Sequence, residues 1–361
     1  MITSKLEDLI DLIIDYRGKT PKKLGGDWSE SGYRVFSAKN IKTGEIVSSE
    51  SIRYVNNDLY RSWMKDEIQK GDILITSEAP FGQIYFWDSD EKIVLGQRLF
   101  AIRPKKSVNG KYLYYYMTGR DFQCELKARA TGTTVTGLRQ PELLRCQVSM
   151  PSKEQQDYVA HLLGTLDKKI QINVAINDNL MQQAETLYRY LFIKNASPKW
   201  RTGSMAELVS VRYGKDHKKL ADGTIPVYGS GGVMRFVERP LYEHESVLIP
   251  RKGSLNNIIY VNQPFWSVDT MFYTEMKLCN VAKYVYFYLK SQNLAAMNVG
   301  SAVPSMTTEL LNSLQIKIPS NSTLMMFESI VDPMFKTISH NQIEIKKLMQ
   351  VRDYLLKKLF S

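Results

Sequence analysis

From about residue 132 onward, adding 168 to a position lands on a matching residue without a gap. Gly132 meets Gly300, Val135 meets Val303, Gln147 meets Gln315, and Pro151-Ser152 meets Pro319-Ser320. The match runs on through Lys168/Lys336, Ile170/Ile338, Asn173/Asn341, Leu180-Met181-Gln182/Leu348-Met349-Gln350, Leu187/Leu355 and Leu191-Phe192/Leu359-Phe360. Upstream the copies diverge but keep landmarks. Tyr16-Arg17-Gly18-Lys19 echoes Tyr213-Gly214-Lys215, and Gly71-Asp72-Ile73-Leu74-Ile75 echoes Glu245-Ser246-Val247-Leu248-Ile249. A chain with such a period is two copies of one unit, each a variable head followed by a similar tail. The segments are head one (1–151), tail one (152–195), head two (196–319) and tail two (320–361).

The tails read as long helices. Val159, Leu163, Leu166, Ile170, Asn173, Asn177, Leu180, Ala184, Leu187 and Leu191 alternate by four and three, as do Phe327, Val331, Met334, Ile338, Asn341, Ile345, Leu348, Arg352, Leu355 and Leu359. Strict 4-3 spacing over several heptads points to a coiled-coil seam. Ser152 and Gln155 form a capping box at the first helix start. Pro333 is expected to kink or delay the second helix, because proline removes a hydrogen bond. At ~1.5 Å per residue each helix spans roughly 50–60 Å. A duplicated unit folding on itself pairs the two helices antiparallel about a pseudo-two-fold axis. In that pairing Asn177 faces Asn341, a polar seam contact that fixes register. Unrelated surface helices or homodimeric coils are the alternative.

The heads mix both kinds of structure. Strand-type runs fall at Ile73–Thr76, Gln83–Trp87, Leu99–Arg103, Ser246–Ile249, Ile258–Val261 and Met271–Thr274, bounded by turn residues. Tyrosine-rich helices follow at Gly110–Thr118 and Val281–Lys290, with stripes (Tyr112, Tyr115, Tyr116; Tyr284, Phe287, Tyr288) that read as core. The expected class is therefore α+β: two globular heads separated by two long antiparallel coiled-coil helices.

Composition narrows the function. The 361 residues are too many for one ordinary domain. The apolar fraction of 43% excludes wholesale disorder. No apolar run reaches the ~18–20 residues of a membrane span. Met1–Ile10 lacks the pattern of an export signal, so a cytoplasmic protein is expected. Three scattered cysteines (Cys124, Cys146, Cys279) fit a reducing compartment and exclude a CxxC knuckle. Four scattered histidines argue against a zinc hydrolase. The net charge of +11 favours a polyanionic partner. Counted by segment it is +4, zero, +5 and +2, so the excess lies on the heads rather than the tails.

The densest basic cluster falls at the same repeat position in both heads: Arg17, Lys19, Lys22 and Lys23, with Thr20 among them, then Arg212, Lys215, Lys218 and Lys219, with His217 among them. One such run is usually a solvated face; its recurrence points to phosphate contacts, with neighbouring polar side chains reading base edges. For base readout the candidates are Lys39, Asn40, Ser77, Gln83, Thr131, Thr133 and Thr134 in head one. In head two they are Tyr228, Ser230, Arg251, Lys252, Ser254, Asn256 and Asn257. Each could equally stabilise a turn. Gly18-Lys19-Thr20 imitates the end of a phosphate loop, but Ile13 stands where its first glycine belongs. Gly229-Ser230-Gly231-Gly232 lacks dinucleotide-fingerprint spacing, and no GxSxG elbow or paired-carboxylate motif appears. The expected chemistry is binding without catalysis and without a metal.

Pro151 to Phe192 (PSKEQQDYVAHLLGTLDKKIQINVAINDNLMQQAETLYRYLF) resembles the central conserved region of the specificity (S) subunits of Type I restriction–modification systems. Gly-Lys-Thr-Pro at 18–21, Ala79-Pro80-Phe81-Gly82 and Arg251-Lys252-Gly253-Ser254 resemble motifs of their target-recognition domains. The second tail departs from the pattern, with Ser322-Thr323 in place of Glu154-Gln155. The resemblance implies two target-recognition domains of α/β type, each reading half of a bipartite double-stranded DNA site. It implies that the helices set their separation and dock two modification (methyltransferase) subunits, to which restriction (motor-nuclease) subunits are added. S-adenosylmethionine, Mg and ATP are then expected only on those partners, with no cofactor on this chain. A DNA nuclease or methyltransferase with a diverged active site in one head is the alternative, and a coiled-coil scaffold for proteins is a third reading.

Overall fold

The computed structural model describes residues 2–132, 136–297 and 305–360. It divides into two units, one made of residues up to Asn173 together with those from Ile343 onward, the other of Val174–Gln342. The division cuts both long helices, so each unit holds a head and a part of each helix.

In the first unit, a four-stranded antiparallel sheet runs in the order Ile10–Asp15, Leu99–Pro104, Ile73–Thr76, Ile84–Phe86. Its central strands are buried on both faces, which explains their unbroken apolar sequence. Alternate side chains enter different cores, since successive strand residues point to opposite faces. Ile73, Ile75, Phe100 and Ile102 pack with the Gly110–Thr118 helix. Leu74, Leu99 and Ala101 pack with Val35, Phe36, Trp63 and Trp87. A second sheet places Tyr33–Phe36 between Arg53–Val55 and, in parallel, Val94–Leu95. Ile2–Lys5 pairs with Gln147–Met150.

The second unit repeats this frame. Its sheet order is Val209–Tyr213, Met271–Met276, Ser246–Pro250, Ile259–Val261. Asp222–Gly229 lies between Gly232–Val237 and, in parallel, Trp266–Ser267. Thr202–Ser204 pairs with Gln315–Lys317. The heads are thus duplicated even where their sequences have diverged. Tyr112 donates to the Ser149 carbonyl at 2.9 Å, and Tyr284 to the Lys317 carbonyl at 2.7 Å, two acceptors that match in the repeat.

The long helices span Lys153–Tyr188, continued by a π-helical turn over Arg189–Lys194, and Asn321–Leu359. Ser152 Oγ accepts the Gln155 N–H at 3.4 Å, and Ser320 Oγ accepts the Thr323 N–H at 3.3 Å. The second helix therefore starts at the matching place without the Glu-Gln pair. Pro333 does not delay it: it lies inside the helix, where Val331 and Phe335 on either side are buried in the core. Packing of that face outweighs one missing hydrogen bond. Within the first unit Asp167 pairs with Arg352 at 3.1 Å, and Asn173 Nδ2 donates to Glu344 at 2.7 Å, so these segments run antiparallel. Within the second, Asn341 Nδ2 donates to Asn177 Oδ1 at 2.9 Å, the seam contact expected from the repeat.

The Leu-Phe ends of the two tails close the head cores. Phe360 sits 5.6 Å from the Tyr112 ring and 5.7 Å from that of Tyr116. Phe192 sits 4.6 Å from Tyr284 and 5.1 Å from Phe327.

One matched pair of lysines shows how the units differ. Lys283 is 1% exposed and held by Glu328 at 2.5 Å, with Glu245 and Asp332 both at 3.2 Å. Burial works to lower its pKa, but Tyr260, Glu245 and Glu328 outweigh that and leave it above the ordinary lysine value. A raised lysine pKa contributes stability that is present below the unfolded value and lost only as pH climbs through the folded one, so neutral pH retains it. Lys111, its counterpart, is 44% exposed and among the described residues forms an ion pair only with Asp88. Lys283→Met in the full chain is expected to cost ~3–5 kcal/mol by chemical denaturation, because three carboxylates lose their buried partner. Lys111→Met is expected to cost less than ~1 kcal/mol. Equal losses would contradict this assignment.

Candidate DNA interface

In the first unit several loops meet at one end of the sheets: those following Asp15, Phe36 and Thr76, and those preceding Leu99 and Arg139. Backbone bonds tie them together. Gly96 donates to Phe36 at 2.7 Å, Ser77 to Arg98 at 2.8 Å, and Leu138 to Ser77 at 3.0 Å. Two clefts open there, sharing Gln97. One, about 340 Å³, lies between Arg17, Ser77, Glu78, Arg98 and Gly137. The other, about 230 Å³, lies between Lys19, Trp28, Lys39, Arg53 and Trp63.

The second unit reproduces the junction. Val268 donates to Tyr228 at 3.1 Å and Arg251 to Thr270 at 2.9 Å, the counterparts of the Gly96–Phe36 and Ser77–Arg98 bonds. Lys215 joins through its N–H to Ser267 at 2.8 Å and through its carbonyl, which accepts the Trp266 indole N–H at 2.8 Å. Gly214 permits this close approach, since a Cβ there would lie 2.0 Å from the Val268 carbonyl oxygen.

The basic side chains at the first junction divide into two kinds. Arg17 is engaged internally: its guanidinium grips both Asp15 oxygens at 2.8 and 2.9 Å, donates to the Leu138 carbonyl at 3.2 Å and lies 4.0 Å over the Phe100 ring. Lys19 donates to the Trp63 carbonyl at 2.6 Å, and burial, helped by Lys65, lowers its pKa. Lys23 donates to the Gly18 carbonyl at 2.8 Å, and Thr20 Oγ1 accepts the Lys23 N–H at 3.3 Å. Lys22 and Lys39 are exposed and make no ion pair or side-chain hydrogen bond among the described residues.

The polar base-readout candidates of this unit sort similarly. Asn40 is fully buried; its amide accepts from Ser37 and donates to Ser48 and Ser51, so it holds the loop rather than facing outward. Ser77 is buried at the floor of the larger cleft. Gln83 Oε1 accepts from the Thr43 N–H and hydroxyl. Thr131 is exposed and bridges to Gly137. Thr133 and Thr134 lie outside the described residues.

In the second unit Lys215, Lys218, Lys219 and Lys252 are exposed and form no ion pair among the described residues. Arg212 pairs with Glu275 at 3.0 Å. His217 keeps its Nδ1 buried without a hydrogen-bond partner among the described residues. Arg251 lies 5.4 Å over the Tyr213 ring and donates to the Asp269 carbonyl at 3.3 Å. Asn257 donates to the Ser230 carbonyl at 2.7 Å, Tyr228 accepts from Gln263 at 3.2 Å, and Asn256 accepts the Ala295 N–H at 3.0 Å. Ser254 is exposed beside them.

Sequence reasoning missed Gln97, Arg98, Glu78, Arg53 and Trp28, which line the clefts. Arg98 pairs with Glu78 at 3.0 Å, and Arg53 lies 4.9 Å over the Trp28 ring. A turn signal was present, Gly96 before the Leu99 strand, but nothing local placed the following Gln97 and Arg98 beside Arg17. Among the described residues no group of three or more histidine, cysteine or carboxylate side chains is arranged to hold a metal ion. No helix among them is long and apolar enough to cross a membrane.

A model of the Type I restriction modification DNA specificity domain matches residues 1–182 and again 198–352. The chain belongs to that family and carries its domain twice, and its function is DNA target recognition. It is 25% identical over 333 residues to the Type I restriction enzyme MjaIX specificity subunit of Methanocaldococcus jannaschii, across 80% of this chain and 77% of that one. The MjaVIII specificity subunit of the same organism is 26% identical over 175 residues, 46% of this chain and 40% of that one. The crystal structure of a Type I restriction–modification S subunit from M. genitalium shares the fold, with a TM-score of 0.70 at 20% identity over 100% of this chain and 96% of that one.

The division among the cations makes a test. Lys22→Glu with Lys39→Glu is expected to weaken duplex binding and flatten the plot of log affinity against log salt by about two, at ~0.9 for each phosphate no longer neutralised. Fluorescence anisotropy over a salt series measures this. Arg17→Ala is expected instead to lower the thermal midpoint, because it frees the loop; an unchanged midpoint would sink its positioning role.

Proposed function

We propose that this chain is a non-catalytic reader of a bipartite double-stranded DNA site, one half-site per head, that directs adenine methyltransferase and restriction subunits to it. The observation that carries the reading is the recurrence of one loop junction, bonded alike in both units and bordered in each by exposed lysines. Two short readers on one chain make sense energetically. Each base pair read discriminates by ~1–3 kcal/mol, so three or four pairs cannot compete with a genome of decoys. Joining two readers makes the second encounter intramolecular and multiplies the discrimination.

On this reading S-adenosylmethionine, Mg and ATP belong to the partner subunits, and the protein works in the cytoplasm. Exposed apolar side chains on the long helices, among them Ile172, Val174 and Ile176 on the first and Ile343, Met349 and Val351 on the second, support docking of the modification subunits there.

The test is to map N6-methyladenine across a genome in cells expressing this chain with its modification partner. A split motif with a constant gap is expected, and a single uninterrupted motif would overturn the reading. Methyl transfer or DNA cleavage by the purified chain alone would favour a diverged enzyme instead.

A further inference from the structure

Beside the second unit's junction stands a feature that lysine contacts to phosphate do not explain. The Gly232–Val237 strand is the edge of its sheet, yet Val233, Met234 and Phe236 are 50%, 62% and 39% exposed. An edge strand with exposed apolar side chains is a liability unless something covers it. Its pairing is also irregular. Val227 pairs with Arg235 and Tyr228 with Val233, so Met234 is an extra residue on this strand, a β-bulge. Bulges re-aim a side chain and concentrate next to functional sites.

Met234 is aimed along the junction. A Cβ on Gly229 would lie 2.5 Å from its sulfur and 3.2 Å from its Cγ, so the thioether lies over a residue with no side chain. The next residue, Ser230, accepts from Asn257 and stands 3.1 Å from a Cβ built on Gly253. Gly253 in turn follows Lys252, whose ammonium makes no ion pair among the described residues. An exposed apolar tip thus lies over Gly229, the residue before a serine that Asn257 and the Lys252-Gly253 turn approach, on a domain whose ligand is DNA.

We infer that Met234 is a specificity-determining residue of the second head that reads a thymine through its C5-methyl group in the major groove. The inference rests on the bipartite reading above. A thioether gains nothing from a phosphate, and the thymine methyl is the apolar group that base edges offer in the major groove. In the first unit Val35 pairs with Arg53 as Val227 pairs with Arg235, so the residue matching Met234 is Ile52, which closes an excursion over residues 37–52 and is buried in that unit's core. Only one half-site should therefore depend on Met234.

The experiment uses the full chain assembled with its modification subunits and a randomised duplex pool, comparing wild type, Met234→Ala and Gly229→Ala. The alanine methyl at 229 displaces the sulfur without removing it. Both variants are expected to lose about four-fold preference for thymine at one position of one half-site, the ~0.8 kcal/mol of a single buried methyl. The other half-site should be unchanged. Replacing that thymine by deoxyuridine should weaken wild type about four-fold and leave Met234→Ala unaffected.

Unaltered wild-type binding on deoxyuridine replacement at every thymine of the half-site would overturn the inference. So would a Met234→Ala defect confined to subunit assembly, or one independent of the methyl, as a wedge between bases would give. Wild type that selects no split site at all would instead sink the bipartite reading.

Discussion

Each head depends on an aromatic residue delivered by the end of a long helix. Phe192 completes the second unit's core and Phe360 the first's, at matching points of the repeat. Because Phe360 stands at the far end of the chain from the head it completes, that head cannot close its core until the second helix has been made and has returned. Gly119 marks how tight the closure is, since a Cβ there would lie 2.8 Å from the Phe360 Cβ. Contacts of such sequence separation are entropically costly to form. They also make the first unit a composite of two distant segments, whereas the second unit is one continuous stretch, Val174–Gln342.

Inside the heads, the sheet divides labour by the pleat. Odd positions of the Ile73–Thr76 strand pack beneath the tyrosine helix, while Leu74 packs with the second sheet. The second unit does the same, with Val247 and Ile249 on one side and Leu248 on the other. Cores on both faces hold the strands firmly, and the loops at one end inherit that rigidity. A reader of base edges needs its side chains placed to within about an ångström, which rigid strand ends supply and a free loop does not.

The repeat, the helices and the Asn177–Asn341 contact were legible because each follows from periodicity, which one sequence displays in full. The strands Ile73–Thr76 and Leu99–Pro104 were legible as buried apolar runs. The second sheet of each head was not: Arg53–Val55, Val94–Leu95 and Trp266–Ser267 are two or three residues long, too short for alternation to show. The site was legible only as a neighbourhood. Nothing local distinguishes Asn40, whose amide is enclosed by Ser37, Ser48 and Ser51, from an outward-facing asparagine. Arg17 and Lys22 are five residues apart and chemically alike, yet one is bound by Asp15 and Leu138 and the other reaches solvent. That difference rests on Asp15, two residues away, and on Leu138, far away in sequence. For the same reason the heads' echo at Tyr16 and Tyr213 is one of composition rather than register: Asp15 pairs with Phe100, and it is Tyr213 that pairs with the matching Phe272.

Duplication explains how one fold can read two different half-sites. The two heads share sheet order and the bonds that tie their loops, so a difference in specificity has to come from what the frame does not fix. The largest such difference is the connection after Tyr33–Phe36 and after Asp222–Gly229. In the first unit it carries the buried Asn40, the exposed Lys39 and a small hairpin, Ile41–Lys42 with Glu45–Ile46. In the second it is a tight turn closing at Gly229–Gly232, with the bulge at Met234 directly behind it. The first head presents a cationic and polar surface there, the second a short apolar one. Changing the exposed part of this connection, such as Lys39, interrupts none of the strands that fill the cores, whereas Ile41 and Ile52 within it belong to the first unit's core. Recognition can therefore diverge between the copies at little cost in stability, while the helix ends that close each core stay matched.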